Sequence, residues 1–277
     1  MRWYTALPAA AVASGVAVTA YASLYERNRW TLRRFDVPVL APGSPPLRVL
    51  HLSDLHASML VPLSMIHHAI TVGLSQKPDL ICVTGDFITH RHDFDEVAYA
   101  QALRRLSSAA PTFAVLGNHD GGKWTAQHLG NSDHRLVENM LDNAAIELLH
   151  NRGAEVRVRD NPISLVGVGD LWSDEIEPRR AFADIRGGRP TILLAHNPDS
   201  KDVLRYRPWD LMLSGHTHGG QVIVPFEGPR YAPVKDKRYV AGLKAWGTRQ
   251  IHVTRGVGNV GGVRLGCRPE ASLLVVG

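Results

Sequence analysis

The chain has 277 residues, 44% of them hydrophobic and 21% charged, with a formal net charge of +5. That length and balance supply one large core or two modest ones and exclude a disordered chain. The basic residues are scattered, which argues against a nucleic-acid partner, and only two cysteines occur, Cys82 and Cys267, far apart and in apolar surroundings, so neither a disulfide framework nor a CxxC zinc site is expected.

The first segment, Trp3 to Tyr25, carries no charge and is long enough to cross a bilayer as a helix. Two fates stand open for it. The small residues of "AYAS" (20–23) fit a signal peptidase and would send the body to the periplasm. Arg27, Arg29, Arg33 and Arg34 after the run, against Arg2 alone before it, favour an uncleaved anchor with the body facing the cytoplasm. A single arginine there is also no twin-arginine signal. Residues 1–30 are thus expected as an inner-membrane anchor, 31–46 as a Pro-rich linker and 47–277 as the folded domain.

From Leu47 onward, strand-length apolar runs alternate with helical stretches. "LRVLHLSD" reads as strand, Pro62–Gln76 as helix, "DLICVTGD" as strand, Asp93–Ser107 as helix and "TFAVLGNH" as strand. This βαβ rhythm predicts a largely parallel sheet. Beyond Asn131 the pattern mixes, with "ISLVGVGD", "TILLAH", "DLMLSGH", "RQIHVTRG" and "ASLLVVG" as further strands, enough for a second sheet.

Polar residues sit just past the apolar run in "HLSDLH", "VTGDF", "VLGNHD", "LLAHNP" and "LSGHTHGG", where open α/β sheets place their ligands. Each of these alone has an ordinary reading as a turn or a buried imidazole. Together, Asp54, His56, Asp86, Asn118, His196, His216 and His218 offer imidazoles, carboxylates and an amide oxygen suited to two divalent transition metals. Such a pair activates water and holds attacking and leaving oxygens in line, which is chemistry for phosphate esters. Alternation along an extended chain would send His216 and His218 to different metals, with the flanking glycines leaving room for a phosphate.

The ordered set "DLH", "GD", "GNHD", "AHNPD" and "GHTHGGQ" resembles the calcineurin-like metallophosphoesterase superfamily, and further stretches are similar to a bacterial phosphodiesterase branch of it. The resemblance implies an α/β fold of two packed mixed β-sheets flanked by helices, a four-layer sandwich, with the apolar N-terminal helix outside it. It implies that Asp54, His56 and His218 hold one metal, that Asn118, His196 and His216 hold the other, and that Asp86 bridges them. His119 would serve as acid or charge stabiliser without binding metal. The metals, two divalent ions, are not distinguished among Mn, Fe, Zn, Ni and Co.

Two departures stand out. Thr89 occupies the place where many members carry a carboxylate that orients the catalytic histidine, and Asp120 stands where they often have Glu. The orienting partner of His119 is therefore unassigned. Asp170 and Trp172 are candidates for the pocket wall or for a turn, Asp199 for a helix cap, and Arg255 for a phosphate contact, with Lys235 and Lys237 solvated. The expected function is a membrane-associated, dinuclear metal-dependent phosphodiesterase. Its substrate would be a phosphodiester or pyrophosphate, possibilities including a lipid-linked one such as UDP-2,3-diacylglucosamine or a phospholipid. A phosphomonoesterase or protein phosphatase, and a non-enzymatic metal-binding scaffold, are the alternatives.

Overall fold

The computed structural model describes residues 3–89, 94–229 and 232–277. Arg2, counted above among the flanking charges, and Asp93, at the start of the second predicted helix, lie outside the described residues.

In chain order, the first elements are α1 (Trp3–Ala20), β1 (Thr31–Val37), β2 (Leu47–Leu52), α2 (Leu63–Leu74), β3 (Leu80–Thr84), α3 (Glu96–Ser107) and β4 (Thr112–Val115). Next come α4 (Gly122–Gln127), α5 (Arg135–Asn143), β5 (Glu147–Leu148), β6 (Arg152–Val158), β7 (Asn161–Gly167), α6 (Pro178–Ala181) and β8 (Thr191–Leu194). The last are α7 (Ser200–Val203), β9 (Leu211–Ser214), β10 (Ile223–Val224), β11 (Gly228–Pro229), β12 (Gly242–Trp246), β13 (Arg249–Val253) and β14 (Glu270–Val276).

Two six-stranded sheets result. One runs β1-β14-β2-β3-β4-β5 and the other β12-β13-β9-β8-β7-β6, while β10 and β11 form a small separate ribbon. Strands β2 to β5 are parallel, as the βαβ rhythm predicts, and β14 runs antiparallel to β2. In the second sheet β7, β8, β9 and β13 are parallel, with antiparallel β6 and β12 at the edges.

The alternation within each strand builds the layers. Val49, Cys82, Phe113 and Val115 of the first sheet meet Ile163, Leu165, Ile192, Leu194, Leu211 and Leu213 of the second in one buried cluster. The intervening residues Leu50, Ile81, Val83 and Ala114 turn the other way, onto α2, α3 and α5. Gly73 of α2 lets that helix lie close, since a Cβ there would stand 2.7 Å from Leu50 Cδ2. Asp95 caps α3 by accepting from the Ala98 N–H at 3.0 Å. The far face of the second sheet is covered thinly, by Trp209, Phe182 and Leu204 around the short α6 and α7. Losing a side chain such as Leu50 would cost about 2–5 kcal/mol.

Two expectations are corrected. Residues 31–37 are not linker: β1 pairs with β14 in parallel along its whole length, from Thr31 opposite Glu270 to Val37 opposite Val276. Its sequence "TLRRFDV", half-exposed in alternation, is that of an edge strand, whose charges disguise it as linker. The N-terminal run also differs from a spanning helix. It breaks after Ala20 into a π-helical turn, Tyr21–Tyr25, and a 3-10 turn, Glu26–Asn28, and among the described residues no helix is long and apolar enough to cross a membrane. The α1 segment is rich in alanine, whose transfer to hydrocarbon gains little.

Candidate metal centre

Strand ends from both sheets converge on one edge. Asp54 and His56 follow β2, Asp86 follows β3, Asn118 and His119 follow β4, His196 follows β8, and His216 and His218 follow β9. The donor atoms of Asp54, His56, Asp86 and His218 all lie within 4.8 Å of one another, as do those of Asp86, His196 and His216, and every one of these residues is buried. Asp86 belongs to both groups. Its Oδ2 stands 3.4 Å from His56 Nε2 and 3.2 Å from His196 Nε2.

The backbone makes this convergence in a way extended chain does not. Asp54, His56, Asp86, His216 and His218 all have φ between 49° and 67°, the left-handed region that ordinary side chains avoid. His216 and His218 do fall in different donor groups, but their separation comes from these turns around Thr217 rather than from strand alternation. Nor do the later glycines of "GHTHGGQ" make room for a phosphate. A Cβ on Gly219 would stand 2.8 Å from Arg255 Cγ and from Cys267 Sγ, and one on Gly220 would strike Pro229. Gly215 is the glycine the centre needs, because a Cβ there would collide with Ser53 Oγ and the Asp54 carboxylate.

Hydrogen bonds fix the imidazoles. His196 Nδ1–H donates to the Thr84 carbonyl at 2.7 Å, which leaves Nε2 as its donor atom. The same carbonyl accepts the Ser53 hydroxyl. Asp54 receives the His216 backbone N–H at 2.9 Å, and Asp86 receives that of His119 at 3.0 Å. His119 Nδ1–H in turn donates to the carbonyl of Thr89 at 2.7 Å, so the missing orienting partner is main chain. The Thr89 hydroxyl meets His56 Nδ1 at 3.2 Å. Asp120 accepts from the backbone N–H groups of Phe87, Ile88 and Gly117, tying the second motif loop to the third.

The donor set fits a pair of divalent cations. His56 Nε2 and His218 Nε2 face each other at 3.1 Å, and Asn118 Oδ1 is buried without a hydrogen-bond partner. Charge gives the same answer for the side chains by themselves. Burial, helped by the charge of Asp86, pushes Asp54 up to about 6. Burial lowers His56 to about 4 and holds His216 and His218 well below the usual imidazole value. Burial would lower His196 as well, but the Asp86 carboxylate outweighs it and lifts His196 to about 10. The lowered rings of His56, His216 and His218 are neutral, with lone pairs free, and such imidazole and oxygen donors are those of a divalent metal.

A cavity of about 250 Å³ opens over the centre, lined by Asp86, Asn118, His119, Trp172, His216 and Gln221, with Thr217, His218, Pro233 and Val260. Trp172 packs against the His216 ring with centroids 4.2 Å apart, so of the two candidates in "GVGDLW" it is the wall residue. Asp170 is buried behind it and accepts the Ser173 N–H at 2.8 Å, with burial raising it to about 6.

Other candidates turn elsewhere. Arg255 Nε sits 3.7 Å from Glu270 Oε2, a carboxylate it shares with Arg33, and does not line the cavity. Asp199 makes no side-chain cap; its Oδ2 accepts the Lys235 N–H at 2.8 Å. Lys235 and Lys237 are exposed, and Cys82 and Cys267 are buried free thiols.

Three supporting groups have no signal in the sequence. Arg264 is fully buried, and its guanidinium spans the carbonyls of His218, Arg255, Gly258 and Cys267. His51 and His252 join the sheets through a 2.9 Å contact between their Nδ1 atoms, and His51 Nε2 meets the Thr84 hydroxyl at 2.8 Å. Burial lowers both rings, His252 to about 3, so the pair is neutral.

Residues 47–220 match the family model described as calcineurin-like phosphoesterase. The chain is 43% identical over 254 residues to phosphodiesterase YaeI of Escherichia coli (strain K12), covering 92% of this chain and 91% of that one. It is 26% identical to the UDP-2,3-diacylglucosamine pyrophosphatase LpxG of Chlamydia muridarum (strain MoPn / Nigg), over 96% and 94% of the two chains. A third relative is the uncharacterized metallophosphoesterase YkuE of Bacillus subtilis (strain 168), 28% identical over 85% and 79%. The family uses a dinuclear divalent metal centre, which the buried Asp and His donors above are positioned to hold. With the ordered motifs, the converging strand ends and these relatives in agreement, the chain belongs to the calcineurin-like phosphoesterase family and is a metal-dependent phosphoric ester hydrolase.

Proposed function

We propose that this chain is a membrane-associated phosphodiesterase, cleaving a phosphodiester or pyrophosphate bond at a dinuclear centre. Asp54, His56 and His218 would hold one cation and Asn118, His196 and His216 the other, with Asp86 available to both. When bound, the two cations supply Lewis-acid charge that polarises the phosphoryl oxygens and activates water. His119, with its Nδ1 proton held on the Thr89 carbonyl, delivers a proton from Nε2 to the leaving oxygen. Trp172 and Val260 shield one side of the cavity from solvent.

The observation that carries a diester over a monoester is the cavity wall. Among the described residues it contains no Lys or Arg, while Trp172, Pro233 and Val260 give it an apolar side. A monoester brings an extra negative charge that no cationic side chain of this wall meets, whereas a diester brings a second substituent that an apolar wall accepts. The pyrophosphatase LpxG makes a lipid-linked nucleotide such as UDP-2,3-diacylglucosamine one substrate to try, and a phospholipid is another. The exposed stretch of residues 12–21, followed by Arg27 and Arg29, supports attachment to the inner membrane with the catalytic domain facing the cytoplasm.

The test compares bis(p-nitrophenyl) phosphate with p-nitrophenyl phosphate using Mn²⁺-supplemented full chain. A kcat/KM at least about tenfold higher for the diester is expected, a difference of about 1.4 kcal/mol in transition-state binding. A preference for the monoester would replace this reading with a phosphomonoesterase.

A further inference from the structure

The wall of the catalytic cavity is continuous with an exposed apolar rim. Val260 lines the cavity and is itself 40% exposed. Its backbone is clamped on both sides by Gln221, whose Nε2 donates to the Val260 carbonyl at 2.6 Å and whose Oε1 accepts the Val260 N–H at 3.0 Å. On one side, the chain from Gln221 enters the β10–β11 ribbon, with Phe226 fully exposed at its turn.

On the other side, the strip after Val260 meets the base of α1. Arg27 Nη1 donates to the carbonyls of Leu60 and Gly262, and the Arg264 N–H donates to the Ala22 carbonyl at 3.2 Å. Met59, 80% exposed, stands beside Leu60 in the same loop, and Leu24 and Tyr25 are exposed on the turn above. Every residue from Val12 to Tyr21 is exposed too. That stretch has no polar face, yet it is too weakly apolar to span a bilayer by itself, so exposed apolar groups near its base would add to its contact with lipid. Arg27 and Arg29 stand at the junction of rim and helix, where cations favour an anionic surface.

We infer that Met59, Leu60, Phe226 and Val260 form a docking rim that seats the mouth of the catalytic cavity on an anionic lipid bilayer. The inference rests on the membrane-associated reading only for the presence of a bilayer. It adds which face of the domain meets it. Exposed apolar groups elsewhere, such as Leu32, Val97 and Val203, lie on separate elements and make no such rim.

Both native cysteines are buried, so a single introduced one can be labelled selectively. Met59→Cys, Phe226→Cys and Tyr206→Cys would each carry an environment-sensitive fluorophore in the full chain. Tyr206 is exposed and lies near Arg249, which donates to the Arg205 carbonyl at the start of β13, away from the catalytic edge. With vesicles of phosphatidylglycerol and phosphatidylethanolamine, emission at 59 and 226 should rise severalfold and shift to the blue while 206 stays unchanged. Met59→Glu combined with Phe226→Glu should weaken partitioning by at least about tenfold, given the hydrophobic contribution of two large side chains. Turnover of the soluble diester should be unaffected in all variants, and its absence in wild type would count against the phosphodiesterase reading instead. Sedimentation with vesicles without any response at 59 and 226 would overturn the rim, leaving the helix as sole attachment. Equal responses at all three positions, no binding at all, or equal binding to neutral phosphatidylcholine would overturn it as well.

Discussion

The Thr89 carbonyl accepts the Nδ1 proton of His119 at 2.7 Å, while the Thr89 hydroxyl lies 3.2 Å from His56 Nδ1. One residue thus serves two histidines with two different groups. Its side chain is expendable for the first and not for the second. Thr89→Ala should therefore lower metal affinity by about 10-fold or more, as losses of ligand-orienting partners do, yet retain kcat at saturating Mn²⁺. His119→Gln should keep two metals per chain and lose about 10²–10⁴ in kcat. Metal analysis and kinetics at saturating Mn²⁺ of both variants check this.

Asp86 is the one donor common to both groups. Asp86→Asn keeps the shape and removes the charge. Metal content measured by elemental analysis should fall from near two per chain, and kcat/KM by at least about 100-fold. Chelation by EDTA should abolish wild-type turnover and Mn²⁺ restore it. A chelated enzyme at full rate would remove the metal from the mechanism.

His134 Nε2 stands 3.0 Å from Glu175 Oε1. Burial would lower the imidazole, but the Glu175 hydrogen bond and charge outweigh it and raise His134 above 6.5. A raised folded-state value means that the contribution to stability is full below 6.5 and is lost as pH climbs through that raised value. The Tm difference between wild type and His134→Gln should be largest near pH 6 and shrink toward pH 8.5. A difference that grows with pH would reverse the assignment.

Gly215 has no room for a methyl group beside Ser53 Oγ and the Asp54 carboxylate. Gly215→Ala should destabilise the protein by about 1–3 kcal/mol, the range for overpacking, and lower metal occupancy, read by thermal melts with and without Mn²⁺. Gly187→Ala, where a Cβ meets nothing within 4 Å, is the control.

The strands and donors were legible because their signals are local. Five apolar runs each end in Asp, His or Asn, and the structure brings all seven expected donor residues to one edge. What could not be read depends on chain that is distant or on backbone atoms. The Thr89 carbonyl has no sequence signature, since every residue carries one. Arg264 is buried by four carbonyls from two loops, its own and the one carrying His218, and nothing in "GGVRLG" separates it from a surface arginine. Residues 31–37 read as linker because their pairing partner, Glu270–Val276, lies at the other end of the sequence.

That last strand has a consequence for the order in which the protein is made. Synthesis delivers β2 long before β14, yet β14 is the strand that separates β2 from β1. While the ribosome is still translating residues 47–269, the strand that presents Asp54 and His56 has one side unpaired, and His216 and His218 arrive late from the other sheet. Asp54, His56 and Asp86 are thus synthesised well before His196, His216 and His218, whose donor atoms lie against theirs. A nascent fragment ending before Glu270 therefore lacks the strand that lies between β2 and β1, and it exposes an open sheet edge.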